Sequence, residues 1–580
     1  MVIMNTEQIN KMIESLSESL LLRRSADGLW RGKLSSSAIS TAVAIFALYM
    51  TDKEKYRSFI QNGAAWLHRT MLPEGAWGDT VESPPNMTAT LLSYAALHAV
   101  DEPSEKAKNF LCDKFGGLDD RQIIQGILAC YGKDLTFSVP ILSMCALSGV
   151  IHSWKNIPQF PFELAVLPQR FFRFLRFPVV SYAIPALIAV GILRHKKGKR
   201  GVLYRLRELL IPKSLQVLVR LQPEHGGFLE AAPLTAFVAG CMAGAGFADH
   251  QATQRAVGFL TDTVREDGAW SIDTDLTNWV TALSVRALSD KMDRLENDRE
   301  QLSQIIRKNA FKFKHPFTGA KEGGWGWTDL QGAIPDADDT AGALVALHIL
   351  LRGVCCIEVE KGIGWLLDLQ NTDGGIPTFC KGWGKLPFDR SSPDITAHAF
   401  LAFELWQDVL PEKLKKKVHT GMKRMLLWMR KVQKPDGSWI PLWFGDQDAK
   451  NELSPVYGTA VAIEHLSISP NPLAKVLAAK GAAYLVSVQN DDHGWGGAKN
   501  VCSKITLTAK ATGALASYAT QYRESLEKGI DYIHAAYQSG ELEKREAIGL
   551  YFARLWYSEE LYNITFVLNA LKSVVAPTKQ

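Results

Sequence analysis

Apolar residues recur three and four positions apart along most of the chain, which is the spacing of one face of an α-helix. The clearest helical stretches run over 41–50, 88–100, 281–288, 340–351 and 396–406. Stretches in which apolar and polar residues alternate, the mark of strands, are sparse. The pattern therefore predicts an all-α architecture of paired helices that close into rings.

A repeated turn separates these helices, with Asp and Gly followed by an aromatic or apolar residue and often preceded by a Gln. It occurs eight times, around Trp30, Trp77, Phe228, Trp270, Trp327, Ile376, Trp439 and Trp495. Repeats of this kind are typical of stacked helical units that cannot bury their apolar faces alone. A non-catalytic helical scaffold that binds other proteins is one interpretation.

Each part of the turn has a predicted task. The Asp-Gly pair makes the bend, with Gly at a positive φ. The following Trp covers the end of the preceding helix, where the Gln amide bonds the carbonyls that the helix leaves free.

Three carboxylates open one of the apolar helices, at Asp336, Asp338 and Asp339. One interpretation is an N-cap with first-turn acids, which suits the helix dipole. Three acids exceed what capping needs, and in a dry site they cannot all ionise. The helix terminus contributes only ~0.3–1 kcal/mol against this. We therefore expect one Asp to keep its proton and to act as a Brønsted acid in an aromatic-rich cavity.

Asp394 and His398 lie four residues apart, which places both side chains on one face of a helix. A core histidine satisfied by its own helix is one explanation. In the other, His398 hydrogen-bonds an Asp of the cluster, orients the acid and stabilises the carboxylate once the proton has left.

Composition narrows the classes of function. With 47% hydrophobic and 22% charged residues among 580, the chain is globular and not disordered. Its net charge of +5 is small for this length, so we expect no nucleic-acid partner. The eight Cys form no C-x-x-C pair, which predicts buried thiols in a reducing compartment and no zinc site.

The sequence predicts no membrane-spanning helix, because its longest apolar run, about 179–193, is shorter than the ~20 residues needed. It also predicts no signal peptide, because residues 1–11 are polar and no charged segment is followed by an apolar stretch there. A basic segment, 194–200, precedes an amphipathic stretch, 202–219, and this pairing suits an anionic membrane surface. A solvated loop followed by an ordinary core helix is the alternative.

These motifs together resemble one known family. Asp336-Ala-Asp-Asp-Thr-Ala341 is similar to the DxDDTA motif of the class II terpene cyclases of the squalene–hopene cyclase group, and the turns resemble its QW motifs. Ser392-Pro-Asp-Ile-Thr-Ala-His398 resembles the segment that carries the activating histidine. The resemblance implies two α/α barrels with the substrate cavity between them. One barrel, 1–24 plus 276–580, would carry the acid cluster, and 25–275 would form the other.

The resemblance also implies roles for individual residues. Asp338 would be the general acid, with Asp336 and Asp339 holding its geometry, His398 pairing with it and Asp394 supporting the network. The aromatic residues expected to line the cavity and bind the substrate are Trp279, Trp325, Trp327, Phe379, Phe388, Trp443, Tyr457 and Tyr182. Ordinary core or repeat packing is the alternative for each of them.

The activity implied is the conversion of squalene or a similar linear triterpene into a polycyclic triterpene through carbocations, which aromatic faces stabilise. No metal and no cofactor are expected. The alternative is a class II cyclase of a prenyl diphosphate such as geranylgeranyl diphosphate, which would need a basic or Mg²⁺-binding patch far from Asp338. The resemblance further implies a cytoplasmic, monotopic protein on the inner face of the cell membrane, and a homodimer.

The sequence departs from the family pattern in three regions. Val280 stands where an acid is common, the segment between Gly375 and Asp394 is shorter, and Leu550 and Arg554 take the places of two late aromatics. These departures predict that the last rings form differently or that the product is not hopene.

Overall fold

The computed structural model describes residues 6–132, 135–168, 184–198, 202–315, 319–379, 390–551 and 555–575. Within these ranges the chain is almost entirely helical, and the predicted all-α architecture of two helical rings is confirmed. Phe388 and Tyr182, two of the predicted cavity aromatics, lie outside the described residues.

The first ring has an inner and an outer layer of helices. The inner helices are Ala38–Asp52, Met87–Ala99, Leu135–Leu147, Ile184–Lys196 and Ala232–Gly244. The outer helices are Arg57–Thr70, Glu105–Phe115, Asp120–Tyr131, Val202–Leu221 and Gln251–Asp262. Each inner helix packs against the next, and Ala232–Gly244 packs against Ala38–Asp52 to close the ring.

The second ring repeats this plan. Its inner helices are Thr277–Ala287, Ala337–Leu350, Pro393–Trp406, Pro455–Leu466, Ile505–Leu515 and Tyr562–Val575. Its outer helices are Thr6–Leu22, Glu296–Lys308, Ile357–Leu369, Glu412–Val432, Pro472–Ser487 and Arg523–Gln538. Contact between Tyr562–Val575 and Thr277–Ala287 closes the ring.

Short elements join these helices. The 3₁₀ helices are Trp154–Asn156, Phe162–Val166, Met292–Leu295, Gln407–Val409, Lys450–Glu452, Ala516–Tyr518 and Glu541–Glu543. Two antiparallel pairs of strands are formed by Ser36–Ser37 with Trp270–Ser271 and by Gly549–Tyr551 with Leu555–Tyr557.

The two layers differ because their sequences differ. The inner helix Ala38–Asp52 is buried at every position from Ala38 to Leu48, as expected of a helix that is apolar on all sides. The outer helix Arg57–Thr70 buries one face only, at Ile60, Gly63, Ala64, Trp66 and Leu67. The inner helices therefore form the wall of each ring, and the outer helices shield that wall from water.

The repeated turns tie the layers together through their tryptophans. In six turns the indole N–H donates to a carbonyl oxygen close to the end of the preceding outer helix, at 2.7 to 3.0 Å; these tryptophans are Trp30, Trp77, Trp270, Trp325, Trp439 and Trp495. Each indole thus satisfies a carbonyl that the helix end leaves free. The glycine of the turn has a positive φ, 95° at Gly437.

The predicted task of the glutamines is wrong. The side-chain amides of four of them donate to the turn carbonyl four residues later, at 2.8 to 2.9 Å, and to a carbonyl of the next outer helix, at 2.9 to 3.0 Å. These are Gln222, Gln370, Gln433 and Gln489. The glutamines therefore link each turn to the next outer helix, whether the turn holds a Trp, as after Gln433 and Gln489, or a Phe or Ile, as after Gln222 and Gln370.

A threonine of an inner helix completes every turn. Its hydroxyl accepts the backbone N–H of the aromatic or apolar turn residue at 2.9 to 3.1 Å; the eight are Thr41, Thr90, Thr235, Thr281, Thr340, Thr396, Thr459 and Thr508. This task of the threonines was not predicted.

The chain crosses between the rings beside the paired strands Ser36–Ser37 and Trp270–Ser271. Helix Thr6–Leu22 packs against Tyr562–Val575, the last helix of the second ring. The predicted domain boundaries, 1–24 plus 276–580 and 25–275, stay a prediction.

The structure bears on the predictions for the cysteines and for membrane-spanning helices. Cys145 and Cys241 are buried thiols, as predicted, whereas Cys502 is exposed. Among the described helices, none combines the length and the apolar character needed to cross a membrane.

Candidate active site

Asp336 caps the helix that carries the acid cluster. It is the N-cap of Ala337–Leu350, and its Oδ1 accepts the backbone N–H groups of Asp338 and Asp339, both at 2.9 Å. The capping interpretation of the cluster is thus correct for this one carboxylate. Capping leaves the side chains of the other two acids for other contacts.

Asp338 is the carboxyl that pairs with the histidine. Its Oδ1 lies 2.6 Å from Nδ1 of His398, which is on the next inner helix, Pro393–Trp406. The Asp338 side chain is 20% exposed and that of His398 only 7%. Asp338 is therefore a carboxyl that both reaches a cavity and is held by a nearly buried imidazole.

The acids around Asp338 hold protons more strongly than free aspartates do. Burial raises the pKa of Asp336 to about 7, and the nearby Asp338 charge adds to this. Burial and the charge of Asp336 raise the pKa of Asp339 well above its ordinary value. Burial also raises the pKa of Asp394 to about 7, although Ser392 Oγ donates a hydrogen bond to its carboxyl. Asp336, Asp339 and Asp394 thus hold protons more strongly than free aspartates near neutral pH.

An aromatic cavity opens above the three acids and holds about 630 Å³ of space free of protein atoms. Asp336, Asp338 and Asp339 all border it. Its aromatic lining residues are Trp279, Trp327, Phe379, Trp443, Phe444 and Tyr557. The structure therefore brings the acid cluster and four of the predicted cavity aromatics to one space.

Three of these aromatics form a chain of edge-to-face contacts. The ring centroids of Trp327 and Phe379 are 6.3 Å apart at 75°, and those of Phe379 and Trp443 are 5.7 Å apart at 84°. The indole N–H of Trp327 donates to Asp273 Oδ1 at 3.2 Å, and that of Trp443 donates to Thr378 Oγ1. With their polar atoms bonded to protein, these rings have electron-rich faces with which to meet a cation.

The remaining predicted aromatics have different positions. Trp325 is fully buried, with its indole bonded to the Ile306 carbonyl in the turn that Trp327 was expected to occupy, and it does not line the cavity. Tyr457 stacks on Phe444 at 4.5 Å and lines a second cavity with His398 and Asp394. Trp279 and Asp338 line both cavities.

The second cavity is polar and contains residues that the sequence analysis missed. Arg286, His465 and Lys510 line it from three different inner helices. Glu464 joins two of them, with Oε1 2.9 Å from Arg286 Nη2 and Oε2 3.6 Å from Lys510 Nζ. These residues are charged or polar positions within apolar helices, and this is the sequence signal that could have indicated a role in the site.

Tyr557 and Tyr562 were also missed. Their hydroxyls are 2.8 Å apart, and the Tyr562 hydroxyl accepts the indole N–H of Trp279 at 3.1 Å. This contact fixes the plane of Trp279 where it borders the acid. The aromatic-rich segment 551–557 is the sequence signal that could have indicated them.

A third cavity lies inside the first ring and is almost wholly apolar. It holds about 820 Å³ of space free of protein atoms, and it is lined by residues such as Leu92, Phe137, Ile141 and Phe237. Leu555 lines this cavity, and Tyr557, two residues along the same strand, lines the aromatic cavity. Because residues two apart on a strand share a face, the two cavities are adjacent.

The departures from the family pattern fall in different surroundings. Val280 is fully buried in the first inner helix of the second ring. Arg554 and the side chain of Leu550 lie outside the described residues, whereas Gly549 borders the aromatic cavity. Among the side chains that the structure describes, no group of three or more His, Cys, Asp or Glu has a metal-binding arrangement.

Comparison with known proteins agrees with this geometry. Residues 275–575 match the model of the squalene-hopene cyclase C-terminal domain, and residues 13–133 match that of the N-terminal domain. A squalene–hopene cyclase of Bradyrhizobium diazoefficiens is 21% identical over 96% of this chain and 93% of its own length. Enfumafungin synthase of Hormonema carpetanum is 22% identical over 87% of this chain, which spans only 44% of that protein.

The fold itself matches a solved structure over its full length. The ent-copalyl diphosphate synthase of Streptomyces platensis aligns over 98% of this chain and 99% of its own, with a TM-score of 0.56 and 16% identity. At this identity the likeness concerns the arrangement of helices alone.

Proposed function

The chain belongs to the squalene–hopene cyclase family of class II terpene cyclases, and from that premise we propose that it cyclises squalene or a similar linear triterpene by protonating a terminal double bond. The observation that carries the proposal is the 2.6 Å contact between Asp338 and His398 at the floor of the aromatic cavity. A non-catalytic scaffold would have no need of this arrangement.

The hydrogen-bond pattern supports Asp338 as the proton donor. When His398 donates Nδ1–H to Oδ1 of Asp338, the proton of the carboxylic acid resides on Oδ2. Protonation of the alkene breaks this O–H bond, forms a C–H bond and leaves a carboxylate, which His398 then stabilises. Burial and mutual repulsion raise the pKa values of Asp336 and Asp339, so these neighbours of the acid also resist ionisation.

The aromatic lining supports a cationic cascade. Trp327, Phe379 and Trp443 line the space above the acids. A desolvated cation gains about 2 kcal/mol from each contact with such a ring. Because the lining is mainly apolar, it also limits the access of water, which would quench the cation before ring closure is complete.

The apolar cavity of the first ring favours an uncharged substrate over a prenyl diphosphate. None of the described residues that line it is charged. Among the described residues, Arg286 and Lys510 are the cations that share a cavity with the acid, but both are paired with Glu464 and lie on the side of His398. A substrate whose terminal alkene meets Asp338 would hold its diphosphate at the opposite end, out of reach of these cations.

We further propose that the protein contacts a membrane surface, because such a substrate partitions into lipid. Leu206 and Leu209 are 57% and 74% exposed and lie three residues apart on helix Val202–Leu221, on one face. The adjoining basic segment contributes less charge than its sequence suggests, since Lys196 and His195 both pair with Glu208. The exposed leucines therefore carry most of this proposal.

The test is turnover by purified protein in detergent, with products identified by gas chromatography and mass spectrometry. Squalene and geranylgeranyl diphosphate are compared as substrates, with Asp338→Asn and the surface control Asp408→Asn beside wild type. We expect a cyclic triterpene, as an isomer of squalene or its water adduct, from wild type and the control, and none from Asp338→Asn.

Two results would overturn the proposal. Equal product from wild type and Asp338→Asn would remove Asp338 as the acid. Conversion of geranylgeranyl diphosphate but not squalene, again dependent on Asp338, would establish the diphosphate alternative.

A further inference from the structure

His398 is held between two other rings. His465, on helix Pro455–Leu466, stacks on it with the centroids 4.8 Å apart and the planes at 17°. Trp279 meets it edge-on, at 6.1 Å and 72°. These contacts allow the His398 ring one plane, and in that plane Nδ1 reaches Asp338.

The contacts of His465 specify its protonation. Its Nε2 lies 2.9 Å from Nη1 of Arg286, and a guanidinium only donates hydrogen bonds. Nε2 must therefore accept, so His465 is neutral with its proton on Nδ1. That Nδ1 is buried and has no hydrogen-bond partner among the described groups. Burial, the His398 charge and the two nearby cations together hold the pKa of His465 well below its ordinary value.

The charges behind His398 do not balance. Arg286 and Lys510 both contact Glu464, so two partly buried cations share one carboxylate and one positive charge is in excess. Asn569 also donates to Glu464 Oε1, at 2.7 Å. The Lys510 side chain is 10% exposed and lies 4.2 Å from the centroid of the Phe566 ring, so water screens its charge weakly.

We propose that His465, Arg286 and Lys510 are positioning residues for the acid. His465 fixes the plane of His398, and the excess positive charge favours the carboxylate that Asp338 becomes when it gives up its proton. The inference rests on the proposed function, because only an acid that must release its proton profits from a cation behind its partner. It assigns a task to three residues that lie outside the acid cluster and the aromatic lining.

The positive charge of Arg286 and Lys510 opposes the effect that the neighbouring acids have on the ionisation of Asp338. Asp336 and Asp339 favour protonated Asp338, whereas Arg286 and Lys510 favour its ionised form, so the two groups together set the strength of the acid. The charged and titratable groups that surround His398 on its own and adjacent helices are Asp338, Asp394, Arg286, Tyr457, Glu464, His465 and Lys510.

The first experiment separates the charge of Lys510 from its packing. Lys510→Met keeps the volume and removes the charge. The control Lys572→Met removes a partly buried lysine of the same ring, which pairs with Asp290 at 2.9 Å. For Lys510→Met we expect kcat at low pH to fall about tenfold. We also expect the alkaline limb of the kcat/KM profile to move up by half a pH unit or more, with KM within twofold of wild type.

The sign of this shift is distinctive. Without the cation Asp338 is a weaker acid, so its reaction slows but it keeps its proton to a higher pH. Loss of packing alone would lower the melting temperature and leave the limb in place. A limb that does not move, or one that moves equally in Lys572→Met, would overturn the role of the charge.

The second experiment tests the stack. His465→Ala removes the ring, and His465→Phe restores a flat ring without the nitrogen acceptor. We expect kcat to fall about tenfold in the alanine variant and to recover most of that loss in the phenylalanine variant, at unchanged KM. Equal activity of the two variants would overturn the role of the stacked plane.

A third readout needs no turnover and so separates this inference from the proposed function. Ring ¹⁵N NMR of histidine-labelled protein, assigned with His398→Gln and His465→Gln, follows both rings from pH 5 to pH 9. We expect His465 to stay neutral with its proton on Nδ1, and the titration midpoint of His398 to move to higher pH in Lys510→Met. A charged His465 at pH 7, or an unmoved His398, would contradict the inference even if no triterpene were turned over.

Discussion

Asp336 accepts the backbone N–H of Asp338 at 2.9 Å, so the residue that caps the acid's helix also lies beside the acid itself. One carboxylate thus does two things: it orients the first turn, and its negative charge opposes ionisation of its neighbours. These two effects can be separated by substitution.

Asp336→Asn keeps an oxygen that can cap the helix and removes the charge, whereas Asp336→Ala removes both. We expect the asparagine variant to melt close to wild type and the alanine variant to lose about 1 kcal/mol of stability. In both variants the alkaline limb of kcat/KM moves to lower pH, because one source of repulsion has gone. Thermal melts and pH–rate profiles check this; an unmoved limb would show that Asp336 acts only as a cap.

The raised pKa of Asp394 predicts a pH-dependent contribution to stability. Its folded-state pKa is about 7 and its ordinary value 3.8, so the folded protein holds this proton more tightly than the unfolded chain does. The stability it contributes is present below pH 4 and is lost as pH rises from about 4 to 7. The total effect is up to roughly 4 kcal/mol.

Asp394→Asn removes this titration, so its melting temperature relative to wild type should rise between pH 5 and pH 8. The measurement is a series of thermal melts across that range. Asp408→Asn, at a side chain that is 86% exposed, serves as the control and should show a constant difference. A constant difference for Asp394→Asn as well would mean that this carboxyl is ionised throughout.

Most of the fold follows from local sequence. The Asp-Gly turns and the apolar periodicity predict stacked helices, since both features act within a few residues of each other. The pairing of Trp270 N–H with Thr41 Oγ1 at 3.1 Å was not predictable in this way, because it joins residues 229 positions apart. In the sequence, a threonine in an apolar helix cannot be distinguished from any other core residue. Its hydrogen-bond donor, the backbone N–H of a distant turn, is brought to it only when the ring closes.

The same distinction between local sequence signals and contacts between distant residues applies to the active site. Asp336, Asp338 and Asp339 form a local motif, and His398 was placed beside them through the resemblance of its segment to a known one. Arg286, His465 and Lys510 come from three helices that meet only in the closed ring, so no spacing connects them. Trp325 and Trp327 show that local sequence can also be insufficient to assign a site residue. They flank one glycine, yet only Trp327 lines the cavity.

Two neighbouring tryptophans allow packing and catalysis to be tested separately. Trp439 is fully buried and donates to the Met429 carbonyl at 3.0 Å, whereas Trp443 lines the aromatic cavity. Trp439→Phe leaves a buried carbonyl without its donor, which costs about 1–3 kcal/mol. We expect this variant to melt earlier but to make the same products as wild type.

Trp443→Ala removes a ring face from the path of the cation instead. We expect its rate to fall at least tenfold, consistent with the loss of about 2 kcal/mol of cation stabilisation, and partly cyclised products to appear. Chromatography of the products and thermal melts of both variants provide the measurement. Altered products from Trp439→Phe, or unaltered products from Trp443→Ala, would contradict the assignment of these two residues.

The membrane contact proposed for helix Val202–Leu221 can be tested on its two exposed leucines. Leu206→Gln/Leu209→Gln removes apolar surface that contributes roughly 1.5–3 kcal/mol for each side chain when it is fully buried. We therefore expect sedimentation with anionic phospholipid vesicles to fall at least tenfold. Activity in detergent should be unchanged, because both side chains are exposed to solvent and are distant in sequence from the residues of the acid cluster. Leu22→Gln is the control: Leu22 is 86% exposed at the end of helix Thr6–Leu22, so its loss removes the apolar surface of one exposed leucine from a different helix. If this control lost vesicle binding and the double variant kept it, the membrane would lie against a different part of the molecule.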